Sequence, residues 1–458
     1  MPMRNIVSDL QRSWSDPEKK RIFRGTMDSF LIQGGSIALV FAGNLLLTRW
    51  AGADAYGEYV HVFNWVSILS VAVIGGRDDL AFTEISRYHN MGMDGRIGWF
   101  IRRINKQMLF AALLLGIIFL TIIFVFPVPT LHRYRYELLI AGGAVYCTAF
   151  LTVNQSVLQT LNYIRLSQVV ERLIRPFLLI VFFGVALLVG HSADSRSLII
   201  LAEASLGVAC VILGLLVFVK TRTYLTAHRT ANPLDRQHPR EQFSKKTMHF
   251  FLITELKLLT TKIGMLILPY FAMQKEIGIF NICSRLADLV IYPFFLMHAV
   301  LPQLFARHTS ADTAYKQSLY SSATKLMTVL GLPLLLVEIV GGRFFLGLFG
   351  KAFPEGYTAL LLLSISQFLY SLFGPANTML MMQNQEKQAV RSLVIFVVLL
   401  TVLNGVLVPV WGITGGAVGT LAGTLVYNIL LAVDAYKFSG VCSPFLAFWV
   451  RPGNPGSG

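Results

Sequence analysis

Apolar residues run in stretches of about twenty along most of this chain, broken by short polar or basic segments. About twenty helical residues rise about 30 Å, the thickness of a bilayer's hydrocarbon core. Runs near 25–50, 58–76, 106–128, 136–161, 173–190, 198–220, 247–272, 277–305, 322–341, 356–383, 388–411 and 413–437 predict about twelve transmembrane helices. A membrane β-barrel would show short segments with a period of two instead. The run 76–91 differs in kind. Leu80, Ala81 and Ile85 fall on one side and Glu84 and Arg87 on the other, predicting a helix lying along the cytoplasmic interface.

The pattern occurs twice. Residues 26–59 (TMDSFLIQGGSIALVFAGNLLLTRWAGADAYGEY) align without a gap on 247–280 (TMHFFLITELKLLTTKIGMLILPYFAMQKEIGIF). Thr26 and Met27 fall on Thr247 and Met248, and Phe30, Leu31 and Ile32 on Phe251, Leu252 and Ile253. Leu45 and Leu47 meet Leu266 and Leu268, Ala51 meets Ala272, and Gly57 meets Gly278. Each copy is a basic lead-in, a membrane-length helix, a short turn with a glycine, and the start of another helix. This predicts a duplicated membrane domain with a pseudo-symmetry axis between the halves, where a transport path would lie.

Composition supports the same class. Of 458 residues, 55% are hydrophobic and 14% charged, with a mean hydropathy of +0.61; soluble proteins are about a quarter charged. The expectation is an all-α polytopic membrane protein of two six-helix pseudo-symmetric bundles. The formal net charge of +15 sits in membrane-flanking loops, so it indicates topology and contact with anionic headgroups rather than nucleic acid. Basic residues gather within 4–24, 87–106, 165–175, 220–246, 316–325 and 387–391. The other side holds only Arg49, Arg133, Arg135, Arg196, Lys275, Arg343 and Lys351. Both termini are therefore expected in the cytoplasm. The layout is a cytoplasmic segment at 1–24, a first bundle at 25–220, a basic cytoplasmic linker at 221–246, a second bundle at 247–437 and a cytoplasmic tail at 438–458. Residues 1–24 are polar and basic and do not form a signal peptide, so the first helix would act as its own insertion signal. Cys147, Cys210, Cys283 and Cys442 stand singly in or beside apolar runs, as small buried hydrophobes do. The chain shows no phosphate-binding loop, His/Cys cluster or GxSxG, and no extramembrane segment large enough for a catalytic domain. Neither an enzyme nor a cofactor is expected.

Residues 49–59 (RWAGADAYGEY) resemble the LG-x-x-x-YG-x-Y turn between the first two helices of the multidrug/oligosaccharidyl-lipid/polysaccharide exporter superfamily, in its polysaccharide branch of O-antigen and oligosaccharide flippases. The stretch 78–89 (DDLAFTEISRYH) falls where that family has its first long cytoplasmic segment. Residues 156–172 (SVLQTLNYIRLSQVVER) resemble its exit from helix 4, echoed at 380–391 (LMMQNQEKQAVR). The likeness covers essentially the whole chain as layout more than motif. It implies passage of a lipid-linked oligosaccharide, carried on polyprenyl pyrophosphate, across the cytoplasmic (inner) membrane, with polysaccharide assembly proteins as partners. Residues 94–103 (DGRIGWFIRR) look like the loop after helix 2 of major-facilitator transporters, but lie far past the end of the second run.

Ionisable groups inside apolar helices are costly, so each is a functional candidate. Glu255 and Lys262 are seven residues apart on one face of the 247–272 run; Arg285 and Asp288 share a face of the next. Measured from the turn near Gln274, Lys262 lies about 15–18 Å deep and Asp288 about 16–21 Å. A Lys262–Asp288 pair would either lock the two helices together or leave Arg285 to make a net positive site for a phosphate or pyrophosphate. Arg24 and Asp28 stand at i,i+4 near the cytoplasmic face. Arg24 is a snorkelling end residue or a cavity cation, and Asp28 a coupling-proton site or an orienting group. Arg172 and Arg175, one turn apart at the cytoplasmic mouth, either receive the phosphates of an arriving lipid carrier or simply obey the positive-inside pattern. Glu203 is alone in its helix and is a candidate proton carrier, whereas Glu338 and Asp434 fall near expected helix ends, where water would solvate them. Gly34, Gly35 and Asn44 suit close packing of the first helix.

Three functions fit in descending order. A flippase would hold a polar head in a cationic cavity between rocking halves, driven by a proton or sodium gradient, the membrane potential or downstream consumption. An ion-coupled multidrug exporter of the same superfamily needs a pocket dominated by carboxylates. A membrane glycosyltransferase needs a sizeable external loop with acid and base residues.

Overall fold

The fold is given by a computed structural model. It describes residues 17–125, 134–190, 194–227, 264, 267–271, 274–294, 301, 313–383 and 385–443, with 17–31, 227, 382 and 386 described by backbone alone. Among the described residues there are helices and turns and no strand. The helices are α1 (Pro17–Ile74), α2 (Arg77–Asn90), α3 (Ile97–Val125), α4 (Arg135–Ile140), α5 (Gly142–Thr160), α6 (Ile164–Val169), α7 (Arg175–Leu188), α8 (Ser195–Ala227), α9 (Gln274–Ala287), α10 (Thr313–Phe349), α11 (Tyr357–Phe373), α12 (Ala376–Met382) and α13 (Glu386–Ser439).

The 58 residues of α1 would reach about 87 Å if straight, nearly three bilayer cores. The helix instead reverses at Gly52 (φ 76°, ψ 177°), a conformation closed to other residues. The 54-residue α13 breaks the same way at Gly412 (φ 54°, ψ −134°). Both breaks fall where the apolar pattern placed turns. The amphipathic α2 follows Gly75 and Gly76, buries Ala81, Ile85 and Tyr88, and leaves Phe82 exposed.

Three boundaries differ from the sequence expectation. Residues 221–227, read as linker, continue α8, whose Tyr224 hydroxyl meets His89 Nδ1 at 2.6 Å and Asp94 Oδ1 at 3.4 Å and so ties its end to α2. The run 136–161 divides at Ala141 into α4 and α5, and α5 ends at Asn162 in the left-handed region (φ 65°). The next helix starts earlier than 173, as α6, and passes through a π-helical turn at Val170–Ile174 before α7.

Among the described residues three larger apolar cores hold these elements, beside a small fourth of Val290, Leu335 and Phe368. One lies within the first half, around Ile85, Ile97, Met108, Leu158 and Leu213. Another lies within the second, around Tyr320, Met327, Phe396 and Leu431. The third joins the halves through Leu47, Tyr56, Phe183, Leu198, Ile277, Leu346, Phe353 and Val408. That third core sits beside Gly52, Gly412 and the α7–α8 and α10–α11 turns. These turns share the end that carries Arg49, Arg196, Lys275 and Arg343, the sparsely basic side of the chain. The outer faces of α3, α8, α10 and α13 leave Phe110, Val211, Val340 and Val410 exposed, among many others. Continuous apolar exposure on that scale belongs against lipid.

Candidate functional site

The site begins at the seam between the halves. Gly57 and Gly278, equivalent in the repeat, face each other there. A Cβ on Gly57 would overlap the Gln274 carbonyl and approach the Gly278 nitrogen, and one on Gly278 would crowd the Ala53 carbonyl. Only hydrogen at both positions lets α1 and α9 cross so closely. On the same end Gln274 Nε2 donates to Glu58 Oε1 (3.2 Å) and Arg49 Nε to the Leu348 carbonyl (2.5 Å). Phe41 packs edge-on against Phe349 (5.0 Å). The halves are sealed at this end.

Inward of the seal the residues at the seam turn polar. The Tyr56 hydroxyl, fully buried, lies 2.7 Å from Asn44 Oδ1 and 3.3 Å from Asn281 Oδ1. Arg285 Nε donates to Asn281 Oδ1 at 2.9 Å, which fixes the guanidinium on the α9 face. Tyr59, one turn along from Tyr56, lies within electrostatic reach of both Arg285 and Arg175. Further from the sealed end, Gln33 Nε2 donates to the Tyr292 hydroxyl (3.3 Å), which also lies within reach of Arg172 and Asp288. Thus Arg172 and Arg175 from the first half and Arg285 from the second are gathered about one seam. Arg172 belongs to the π-helical turn and Arg175 opens α7 directly after it; such turns re-aim side chains and recur at functional sites.

Among the described residues, none of these three arginines has a carboxylate within 4 Å. Ion pairs form elsewhere: Lys275–Glu355 (2.7 Å), Arg196–Glu137 (3.0 Å) and Arg391–Asp434 (2.8 Å). Asp288, one turn past Arg285, accepts from Gln367 Nε2 of α11 at 2.7 Å. Lys262 and Glu255 lie outside the described residues. Arg24 and Asp28 fall on the backbone of α1, with side chains outside the description.

Two expectations about lone carboxylates are corrected. Glu338 is 4% exposed in the interior of α10 and accepts from Ser364, because α10 continues through Gly341 and Gly342 to Phe349. Asp434, 2% exposed, holds Arg391 and Ser392. Glu203 is not isolated either. Its carboxylate accepts the backbone N–H groups of Gly143 and Ala144, where α5 begins and the helix dipole favours an anion. Tyr59, Tyr292, Gln33 and Gln367 were not singled out from the sequence, although Tyr56 and Tyr59 stand in the YGEY string at the crossing.

A family model described as polysaccharide biosynthesis protein matches residues 22–308. The chain belongs to that family. A search of curated proteins finds no match. Solved structures share its fold at low identity. An inward-facing multidrug resistance MATE transporter of the MOP superfamily superposes with a TM-score of 0.66 at 14% identity, covering 88% of this chain and 94% of its own. The lipid II flippase MurJ in an inward closed conformation gives 0.64 at 14%, covering 90% and 87%. A MOP superfamily transporter from Pyrococcus furiosus, reported for the reverse polarity of its binding pocket, gives 0.63 at 15%, covering 93% and 96%. This member of the polysaccharide biosynthesis protein family therefore has the fold of those MATE and MurJ structures.

Proposed function

We propose that the chain flips a lipid-linked oligosaccharide, carried on polyprenyl pyrophosphate, from the cytoplasmic to the outer leaflet of the cell's cytoplasmic membrane. The observation that supports this reading is that Arg175 and Arg285, from opposite halves, both lie within electrostatic reach of Tyr59. Cations without carboxylate partners, in a polar lining between two apolar bundles, suit a diphosphate head whose tail remains in lipid. Arg172 receives the phosphates first, at the cytoplasmic mouth, and Arg24 and Lys262 are further cations assigned to the same head. Asp288, Asp28 and Glu255 are the coupling carboxylates. The two bundles, 25–220 and 247–437, rock about the glycine crossing, and the basic segment between them stays cytoplasmic. The MurJ likeness supports a lipid-linked cargo, and polysaccharide assembly proteins are the partners that consume it.

The MATE likeness supports a second reading, ion-coupled export of multiple drugs. Deleting the chain in its native host separates the two. Flipping predicts loss of surface glycan with lipid-linked precursor accumulating inside. Unchanged glycan with new drug sensitivity would overturn it in favour of the exporter.

A further inference from the structure

An open groove of about 540 Å³ lies on the outer flank of the first half, away from the seam, lined by Arg77, Lys106, Gln107, Phe110, Ala111 and Leu114. Its two walls come from the α1–α2 junction and from α3. Lys106, Phe110 and Leu114 follow one another at i, i+4 and i+8, so they form one stripe about 12 Å long on α3. The stripe changes character along its length. Lys106 is exposed at the cytoplasmic end, whereas Phe110 (68% exposed) and Leu114 (49%) belong to the apolar surface that continues to Val125.

The opposite wall holds a second cation. The Arg77 Nη1 donates to the carbonyls of Val73 (2.9 Å) and Ile74 (3.1 Å), the free end of α1, while its Nε is buried with no protein partner. A side chain at Gly75 would collide with that Nη1, so the glycine makes room for the folded-back guanidinium. Carbonyls orient the group without neutralising it. Neither Arg77 nor Lys106 has a carboxylate within 4 Å among the described residues. Two uncompensated cations at headgroup depth, above an exposed apolar stripe, have the polarity profile of one lipid: phosphate above, acyl chain below.

We propose that this groove binds an anionic phospholipid of the cytoplasmic leaflet, its phosphate between Arg77 and Lys106 and one acyl chain along Phe110 and Leu114. The bound lipid braces α3 against the α1–α2 junction. This site is separate from the transport path and does not rest on the nature of the cargo.

Native mass spectrometry of the full-length protein, delipidated in detergent and titrated with phosphatidylglycerol or phosphatidylcholine, tests it. The wild type is expected to retain phosphatidylglycerol in preference to phosphatidylcholine. Lys106→Gln should weaken that retention about fivefold, the effect of one membrane-surface lysine. Ala111→Trp, which fills the groove without altering charge, should weaken it at least as much. Arg103→Gln, one turn away beside Trp99, should leave it unchanged. Equal retention of the two lipids, or an unaffected Ala111→Trp, overturns the proposal. So does a loss in Arg103→Gln as large as in Lys106→Gln, which would reduce the effect to general surface charge.

Discussion

An arginine at the centre of a membrane helix costs about 2.5–3.5 kcal/mol on insertion scales. Arg285 has a neutral amide partner in Asn281 but no carboxylate within 4 Å among the described residues, and Arg175, at a helix start, likewise has none, so an anionic head would find both cations unneutralised. Arg175→Ala and Arg285→Ala are each expected to cut transport by roughly tenfold to a hundredfold, the value of one charge-assisted contact. Accumulation of lipid-linked precursor measures the loss, and unchanged protein in the membrane fraction shows that insertion is intact. Full activity of both variants would remove the two arginines from the path. Asp434 illustrates the opposite case, a buried carboxylate used for structure. Asp434→Asn should destabilise the second half by about 1–3 kcal/mol, less than a fully buried pair loses because Arg391 is more than half exposed. Thermal unfolding in detergent reads this. Ionisable side chains in apolar helices announced themselves in the sequence, which is why Arg285 and Asp288 were legible. Tyr59 and Tyr292 were not, since a tyrosine in such a helix suits packing and an interface equally well until its neighbours are known.

At the scale of elements, the crossing of α1 and α9 is set by absent side chains. Nothing flexible lies where a Cβ on Gly57 would go: the obstacle is the Gln274 backbone. Gly57→Val should therefore part the halves at the sealed end and abolish transport while the protein still inserts, seen as new labelling by an external thiol reagent of a cysteine placed at Glu58. Gly34→Ala, whose added carbon meets nothing within 4 Å, should be silent in the same assay. The kink at Gly52 fails for another reason. Space is free there, but φ of 76° with ψ of 177° is backbone that essentially only glycine adopts, at a cost of about 1–3 kcal/mol to other residues. The duplicated pattern and both kinks could be read from apolar run lengths and glycine positions. The π-helical turn before Arg175 could not, because one extra residue per turn leaves no mark on hydrophobic periodicity.

For the whole molecule, sealing at one end with polar and cationic residues inward of it is the arrangement the proposed alternating cycle needs in one of its states. If opening that seal is required, bridging it must stop turnover. In a protein freed of Cys147, Cys210, Cys283 and Cys442, cysteines at Glu58 and Gln274, whose side chains meet at 3.2 Å, joined by a reducible bifunctional thiol reagent, should lower transport at least tenfold. Reduction should restore it, and undiminished transport by the bridged protein would exclude opening at this end. The sequence by itself determined the membrane class, the internal repeat and the places where the long helices break, because hydrophobic run length, repeat spacing and glycine position are local features of the chain. Only the tertiary structure decided which helix faces meet. It set Gly57 against Gly278, brought Arg175 and Arg285 within electrostatic reach of the same Tyr59, and gave Glu338 and Glu203 partners from other helices. Those outcomes depend on the rotation of each helix about its own axis, which packing against neighbours fixes and an apolar run alone leaves free.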